Sequence, residues 1–407
     1  MTEITITRLG HQGDGIADGP IFAAQTLPGE TVTGVLDGTR LTNIRIVTPS
    51  DQRVAAPCRH YKTCGGCQMQ HATDDFVADW KIGVVRHALA AQDLETVFRD
   101  IKTSAPRTRR RATLSAKRTK KGAMAGFHAK GSDVMVQIPD CQLLHPDLMA
   151  AIPAAEKLSI VGSSRKAELS VQATLSLVGL DLAVTGGKPL DDNLRVALSA
   201  VVEEFKLARL AWGDEVLAQR EPPVHLFGNA KVAPPAGSFL QATKDGEAAL
   251  LASVTEIVGE AAKVADLFAG CGTFALPMAK TAEIHAVEGD REMMAALDLG
   301  WRRATGLKKI THAARDLFRR PLMPDELEKF DAVVLDPPRA GAEAQVEELA
   351  KSKVPVLAFV SCNPVTFARE ARTLCDAGYQ LEWVQVVDQF RWSSHIELVA
   401  KFSRTSA

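Results

Sequence analysis

The spacing of apolar positions changes twice along the chain. Over residues 1–52 the apolar positions come in short runs, "EITITRLG", "PIFAAQTLPGETVTGVLDG" and "TNIRIVTPS", broken by Gly, Pro and Asp-Gly. Such runs predict an all-β unit of a size for a small barrel of about five strands, of the oligonucleotide-binding kind. Residues 74–98 carry apolar positions at helical spacing and predict a helix. After it, "RRRATLSAKR", a "TKKGAM" turn and "AGFHAKGSDVMVQI" predict a hairpin. Strands near 167–185 and 207–232 then flank a helix near 190–206. From about 236, helical and continuous apolar segments alternate, through "KVADLFAG", "EIHAVEGD", "ITHAARDL", "FDAVVLDPP", "VPVLAFVSC", "YQLEWVQVVDQF" and "HIELVAKF". Repeated βα units with strands apolar on both faces predict an α/β, doubly wound and mainly parallel sheet. The domains expected are 1–52, 53–235 and 236–407, with the 74–98 helix packing on the last.

Ligands of such a sheet sit at the carboxyl ends of its strands, and those ends carry unusual residues. "VADLFAGCGTFALPMA" is a strand, a glycine loop and a helix, in which Gly270 and Gly272 let backbone approach a ligand. The three-glycine dinucleotide pattern is not met, because its third position falls at Ala275. With an acidic start at Asp266 and with Glu288 ending the next strand, the loop suits S-adenosylmethionine better. "VVLDPPRAG" places Asp336 before two prolines, with Arg339 where amino-group methyltransferases carry an aromatic residue. In "VLAFVSCNPVTFARE" the thiol of Cys362 stands just beyond an apolar strand and before a helix. A packing cysteine belongs inside the run, as Cys271 and Cys375 are expected to; Cys362 is placed as a nucleophile. Its position before a helix N-terminus predicts a lowered pKa.

Composition is that of an ordinary globular chain: 46% hydrophobic, 24% charged, net charge −1. The N-terminus lacks the apolar core of a signal peptide, and no run approaches the roughly 18 apolar residues of a membrane span. A cytoplasmic, monomeric protein without membrane contact is expected. Charge is uneven: from Ile101 to Ser132 there is no acidic residue, against Lys102, Arg107, Arg109, Arg110, Arg111, Lys117, Arg118, Lys120, Lys121 and Lys130. That run reads as a phosphate footprint, and the partner as a nucleic acid. Cys58, Cys64 and Cys67, with Cys141 after the hairpin, are too clustered for a cytosolic protein without a metal, either zinc or an iron–sulfur cluster.

"SFLQ", "DLFAGCGTF", "DPPRAG", "VSCNP" and "SHIELVAKF", in that order, resemble the motifs of the 5-methyluridine RNA methyltransferase family. "RLGHQGDGIAD" with "LPGETV" resembles that family's N-terminal TRAM barrel, and "CRHYKTCGGCQMQH" with "IPDCQLL" the cysteine set of its iron–sulfur branch. The resemblance implies S-adenosylmethionine-dependent methylation of uracil C5 through a covalent adduct on Cys362, with Glu397 as the base. It implies a cofactor and uracil pocket made by Gln241, Phe268, Gly270, Gly272, Thr273, Glu288, Asp316 and Asp336, although the family usually has Asn where Thr273 stands. It also implies a [4Fe–4S] cluster on Cys58, Cys64, Cys67 and Cys141, in a central α+β domain, and 23S ribosomal RNA as substrate. A tRNA uracil methyltransferase and a non-catalytic iron–sulfur RNA-binding protein are the alternatives.

Overall fold

The computed structural model describes residues 2–404. Their strands form four sheets. The largest runs in the spatial order Ile310–Ala314, Glu283–Glu288, Lys263–Leu267, Ala332–Leu335, Val356–Ser361, Leu398–Ser403, Gln380–Asp388 and Val97–Thr103. Leu398–Ser403 is antiparallel to both its neighbours, and the other pairs are parallel. Both faces are buried, which is why the strands read as unbroken apolar runs. Leu267, Leu335 and Phe359 point into one core, and Val264, Val334 and Val360 into the other. Helices Lys244–Val258, Arg291–Arg303, Glu343–Lys351 and Pro364–Asp376 cover the sheet. Side chains cap them where the sequence offers a short polar residue: Thr243 accepts from the Gly246 N–H, Asp290 from Glu292 and Met293, and Asn363 from Val365.

The helix expected over 74–98 ends at Ala90. Asp93 takes a left-handed backbone (φ 53°), which stops the helix. The following "VFRDIKT" then forms the strand Val97–Thr103, parallel to Gln380–Asp388. Residues from before the hairpin therefore complete the edge of the largest sheet.

A seven-stranded sheet runs Met135–Gln137, Ala123–His128, Arg111–Arg118, Glu168–Ser176, Gly179–Thr185, Arg209–Trp212 and Glu215–Gln219. The hairpin predicted from "RRRATLSAKR" is its Arg111–Arg118 and Ala123–His128 pair. A helix that the pattern did not reveal, Ala151–Gly162, packs on this sheet through Ala151, Ala154, Ala155 and Leu158. The N-terminal unit has six short strands rather than about five, closing over Ile6, Ala17, Ala23, Val32 and Leu41. A short pair, His225–Phe227 and Ala230–Val232, packs into the core of the largest sheet. Among the described residues no helix is long and apolar enough to cross a membrane.

Candidate active site

The strand order reverses between Lys263–Leu267 and Ala332–Leu335, which opens a crevice at their carboxyl ends. A cavity of about 530 Å³ lies there, lined among others by Phe268, Gly270, Thr273, Glu288, Asp316, Asp336, Cys362 and Glu397. Phe268 leaves the strand with φ 63°, and its ring lies 5.5 Å from that of Phe318. The Gly270 N–H donates to Glu288 Oε2 at 3.1 Å, so the loop and the next strand end are tied together. At Gly272 (φ 92°) a Cβ would meet Leu276 at 2.9 Å and Leu297 at 3.0 Å. Only glycine lets this turn pack on the helix behind it.

Register brings thiol and carboxylate together. Ser361 pairs with Leu398 across antiparallel strands, so Cys362, one step beyond, faces Glu397, one step before. Neighbouring strands lie about 4.8 Å apart, which sets the two side chains against the same small volume. On one side Cys362 faces the cavity described. On its other side it faces a groove of about 810 Å³ between residues 11–14, the 74–90 helix and the start of the 364–376 helix.

The cavity holds more acid than base. Asp266 and Glu397 are buried and Asp336 is half-buried; burial pushes each carboxyl up, and neighbouring carboxylates push those of Asp266 and Glu397 further. Asp336 reaches about 7. The Cys362 thiol is pushed up to about 11, first by burial and then by Glu397 and Asp336, with Arg339 opposing. The lowered pKa expected from the helix N-terminus is therefore corrected: burial and two carboxyls outweigh it. At pH 7 roughly one thiol in ten thousand is ionised. Alkylation of Cys362 by iodoacetamide in the cofactor-free protein should accordingly be slow at pH 7 and still accelerating at pH 10. A rate that levels off below pH 8 would contradict this electrostatic account.

A chain of amides spans the pocket. Gln241 Nε2 donates to Asp336 Oδ2 at 3.5 Å, while its Oε1 accepts from Gln389 Nε2 at 2.5 Å. Gln389 Nε2 also donates to Glu397 Oε2 at 3.2 Å, and its Oε1 accepts from the Ala242 N–H at 2.7 Å. Every polar atom of the Gln389 amide is thus engaged, which fixes Glu397 relative to Asp336. Asn363 Nδ2 donates to the Arg339 carbonyl, and Arg339 Nη2 donates to His395 Nδ1 at 2.7 Å. Burial and Arg339 lower the His395 pKa, in keeping with a neutral ring that accepts. Sequence reasoning missed Gln389 and His395: nothing in "VVDQF" marks the first, and the motif "SHIELVAKF" was used only for Glu397.

Comparison with known proteins supplies the chemistry. A family model described as tRNA (Uracil-5-)-methyltransferase matches residues 303–404. An uncharacterized RNA methyltransferase of Mesorhizobium japonicum is 43% identical over 97% of this chain and 96% of its own. The 23S rRNA (uracil(1939)-C(5))-methyltransferase of Shewanella piezotolerans is 31% identical over 98% of this chain and 95% of its own. The chain belongs to the 5-methyluridine RNA methyltransferase family. It is an RNA uracil-C5 methyltransferase that uses S-adenosylmethionine. The fold agrees: the tRNA (uracil-54, C5)-methyltransferase of Pyrococcus abyssi, solved with S-adenosyl-L-homocysteine, superposes with a TM-score of 0.75 at 22% identity, over 98% of this chain and 99% of that one.

The cofactor has room and complement in this methyltransferase. Nothing lies within 4 Å of where a Gly270 Cβ would stand, and the surplus of buried acid suits a sulfonium cation. Cys58, Cys64, Cys67 and Cys141 are all half-buried and come to one place. Each of Cys64, Cys67 and Cys141 has its pKa raised first by burial and further by other thiols of the set, Cys67 to about 12. Among the described residues no three His, Cys, Asp or Glu stand at metal-ligating separation. The thiols are in mutual electrostatic reach.

The basic run of the methyltransferase divides in two. Lys102, Arg107, Lys120, Lys121 and Lys130 are exposed, although Lys130 pairs with Asp14 at 2.7 Å. Arg109, Arg110 and Arg111 turn inward and are not free for phosphates. Arg109 lies over the Phe390 ring, and Arg111 donates to the Leu240 carbonyl at 2.8 Å. Arg110, 4% exposed, donates to Glu247 Oε2 at 2.5 Å and to the Gln241 carbonyl at 3.1 Å. Arg110→Met leaves the Glu247 carboxylate buried without its partner, and should cost about 3–5 kcal/mol of stability. Urea unfolding checks this; a midpoint within error of wild type would return Arg110 to the surface.

Proposed function

We propose that this methyltransferase acts on a uridine of 23S ribosomal RNA through a covalent bond between Cys362 and uracil C6. The observation that carries the mechanism is the register that sets Cys362 and Glu397 side by side at the mouth of the glycine-loop cavity. Carbon 5 of uracil is a poor nucleophile. The Cys362 thiol gives its proton to solvent in the groove on its far side, and the thiolate adds to C6. The π electrons of C5=C6 move onto O4, and the ring becomes an enolate. S-adenosylmethionine supplies a methyl group on a sulfonium, as an electrophile and as a positive charge near the acids. After C5 has taken the methyl, the Glu397 carboxylate removes the C5 proton, the double bond re-forms and Cys362 leaves as thiolate. Gln241 and Asp336 hold the uracil edge, while Gly270, Gly272, Thr273, Glu288, Phe268 and Asp316 hold the cofactor. Reaching C6 requires the base to be flipped from folded RNA.

Ribosomal RNA is supported by the Shewanella piezotolerans relative, which aligns over nearly the whole chain. A tRNA uridine is the second reading, favoured by the likeness to the archaeal enzyme. Mapping 5-methyluridine by mass spectrometry in RNA from a strain lacking the gene separates them. The ribosomal reading expects one position of 23S RNA to lose its methyl group; loss from tRNA alone would overturn it.

The N-terminal six-stranded unit is read as a TRAM-like barrel that contacts the RNA backbone. Cys58, Cys64, Cys67 and Cys141, with the Arg109 guanidinium in electrostatic reach of Cys67 and Cys141, are the residues that would hold a cysteine-bound [4Fe–4S] cluster. The segment they would pin is already in place, since the Gly65 N–H donates to the His128 carbonyl of the hairpin at 2.9 Å. Protein purified without oxygen should be brown and carry about four irons per chain. Cys141→Ser should lose the iron, and Cys375→Ser should keep it. Colourless protein with one zinc would exclude the cluster.

A further inference from the structure

The loop 389–397 carries Gln389, His395 and Glu397, and one buried cation outside the catalytic domain's sequence holds it. Lys81 lies on the helix Asp74–Ala90 and is 0% exposed. Its Nζ donates to Asp388 Oδ1 at 2.6 Å, to the His395 carbonyl at 2.9 Å and to the Phe390 carbonyl at 3.2 Å. An ammonium has three protons to give, and all three are engaged. Asp388 is the last residue of its strand, and its Oδ1 also accepts from the Phe390 N–H at 3.1 Å. His395 is two residues before Glu397. Lys81 therefore grips both ends of the loop.

The rest of the same segment supports the grip. The N–H groups of Gln68 and Met69, next to Cys67, donate to the Trp392 carbonyl at 2.7 and 3.0 Å. Trp392 is held with φ 59°, a conformation costly for a bulky side chain and kept only where the surroundings impose it. Arg391 pairs with Asp74 at the start of the helix.

We infer that Lys81 is a positioning residue for proton removal at C5, aligning Glu397 through the loop it fastens without touching the substrate. The inference rests on the reading of Glu397 as the base. Cys362 sits on a different strand end, placed by the pairing of Ser361 with Leu398 and not by Lys81. Loss of Lys81 should therefore leave thiol addition and methyl transfer standing, and slow the release of methylated RNA.

The test uses full-length protein, S-adenosylmethionine labelled in its methyl group, and bulk RNA from a strain lacking the gene. Labelled protein–RNA adduct is read on denaturing gels, and turnover in solution. Lys81→Met should lower kcat about 100-fold, as expected of a small misplacement of a reacting group, with KM for the cofactor within about threefold. Labelled adduct should accumulate, and Lys81→Arg should recover part of the turnover. If Lys81→Met does not fold, Lys81→Met with Asp388→Asn, which leaves no lone buried charge, is judged by the same criteria. Wild-type turnover, or a fall in cofactor and RNA binding without adduct, would overturn the inference. Glu397→Gln is run beside it: adduct there but none in the Lys81 variant removes only the Lys81 inference. Adduct in neither removes the reading of Glu397 beneath it.

Discussion

Glu397→Gln should stop the reaction after the methyl group has moved, with labelled RNA left bonded to protein. Glutamine keeps the shape and can still accept from Gln389, but it cannot take a proton. The intermediate at that point is saturated at C5 and C6, with the C5 hydrogen still in place and Cys362 still attached. Turnover should fall by about 10²–10⁴-fold, the contribution of a positioned base. The lost carboxylate also removes a charge that raises the Cys362 pKa, so adduct formation should not slow. A variant that loses turnover and yet shows no adduct on denaturing gels would place the failure before methyl transfer and assign Glu397 another role.

Cys362→Ala should fail at the first step. Without a sulfur to add at C6, C5 does not become an enolate, and neither adduct nor product forms. The loss should be on the order of 10⁴-fold or more, as for removal of a nucleophile that acts as a unit with its base. Cofactor binding should persist, because the glycine loop and Glu288 lie on other strands. Equilibrium binding of S-adenosyl-L-homocysteine checks this. Residual methylation above a tenth of wild type would mean that C5 is activated without the thiol.

How far the sequence foretold these residues depended on whether the signal was local. Strand ends were legible, because an apolar run that stops at Asp336 or at Cys362 declares its own boundary. The glycine loop was legible for the same reason. Pairings between distant segments were not. The amides of Gln241 and Gln389 meet through folding of residues 148 apart, and neither lies in a local pattern that demands it. The Val97–Thr103 strand was hidden because helical spacing of apolar positions runs on to residue 98, and the break depends on the backbone of Asp93. Charge misled in one place: a run of ten basic residues reads as one phosphate footprint, yet Arg110 is buried against Glu247. Lys81 did leave a trace. It falls at four-residue spacing between Val77 and Val85 in the stripe that continues to Leu89, all buried. A lysine in the apolar stripe of a helix calls for a buried partner, but the sequence could not say that the partner was Asp388.

Covalent attachment at Cys362 is the central claim, and 5-fluorouridine RNA reports on it most directly. Fluorine at C5 cannot leave as a cation, so an enzyme that adds to C6 and methylates C5 is trapped at the next step. Wild-type protein is incubated with S-adenosylmethionine and RNA from cells grown on 5-fluorouracil, then digested and analysed by mass spectrometry. The account predicts one peptide spanning Cys362, bearing a nucleotide that holds both the fluorine and the transferred methyl group. RNA linked to a different residue, or no linked peptide beside normal methylation of ordinary RNA, would contradict it.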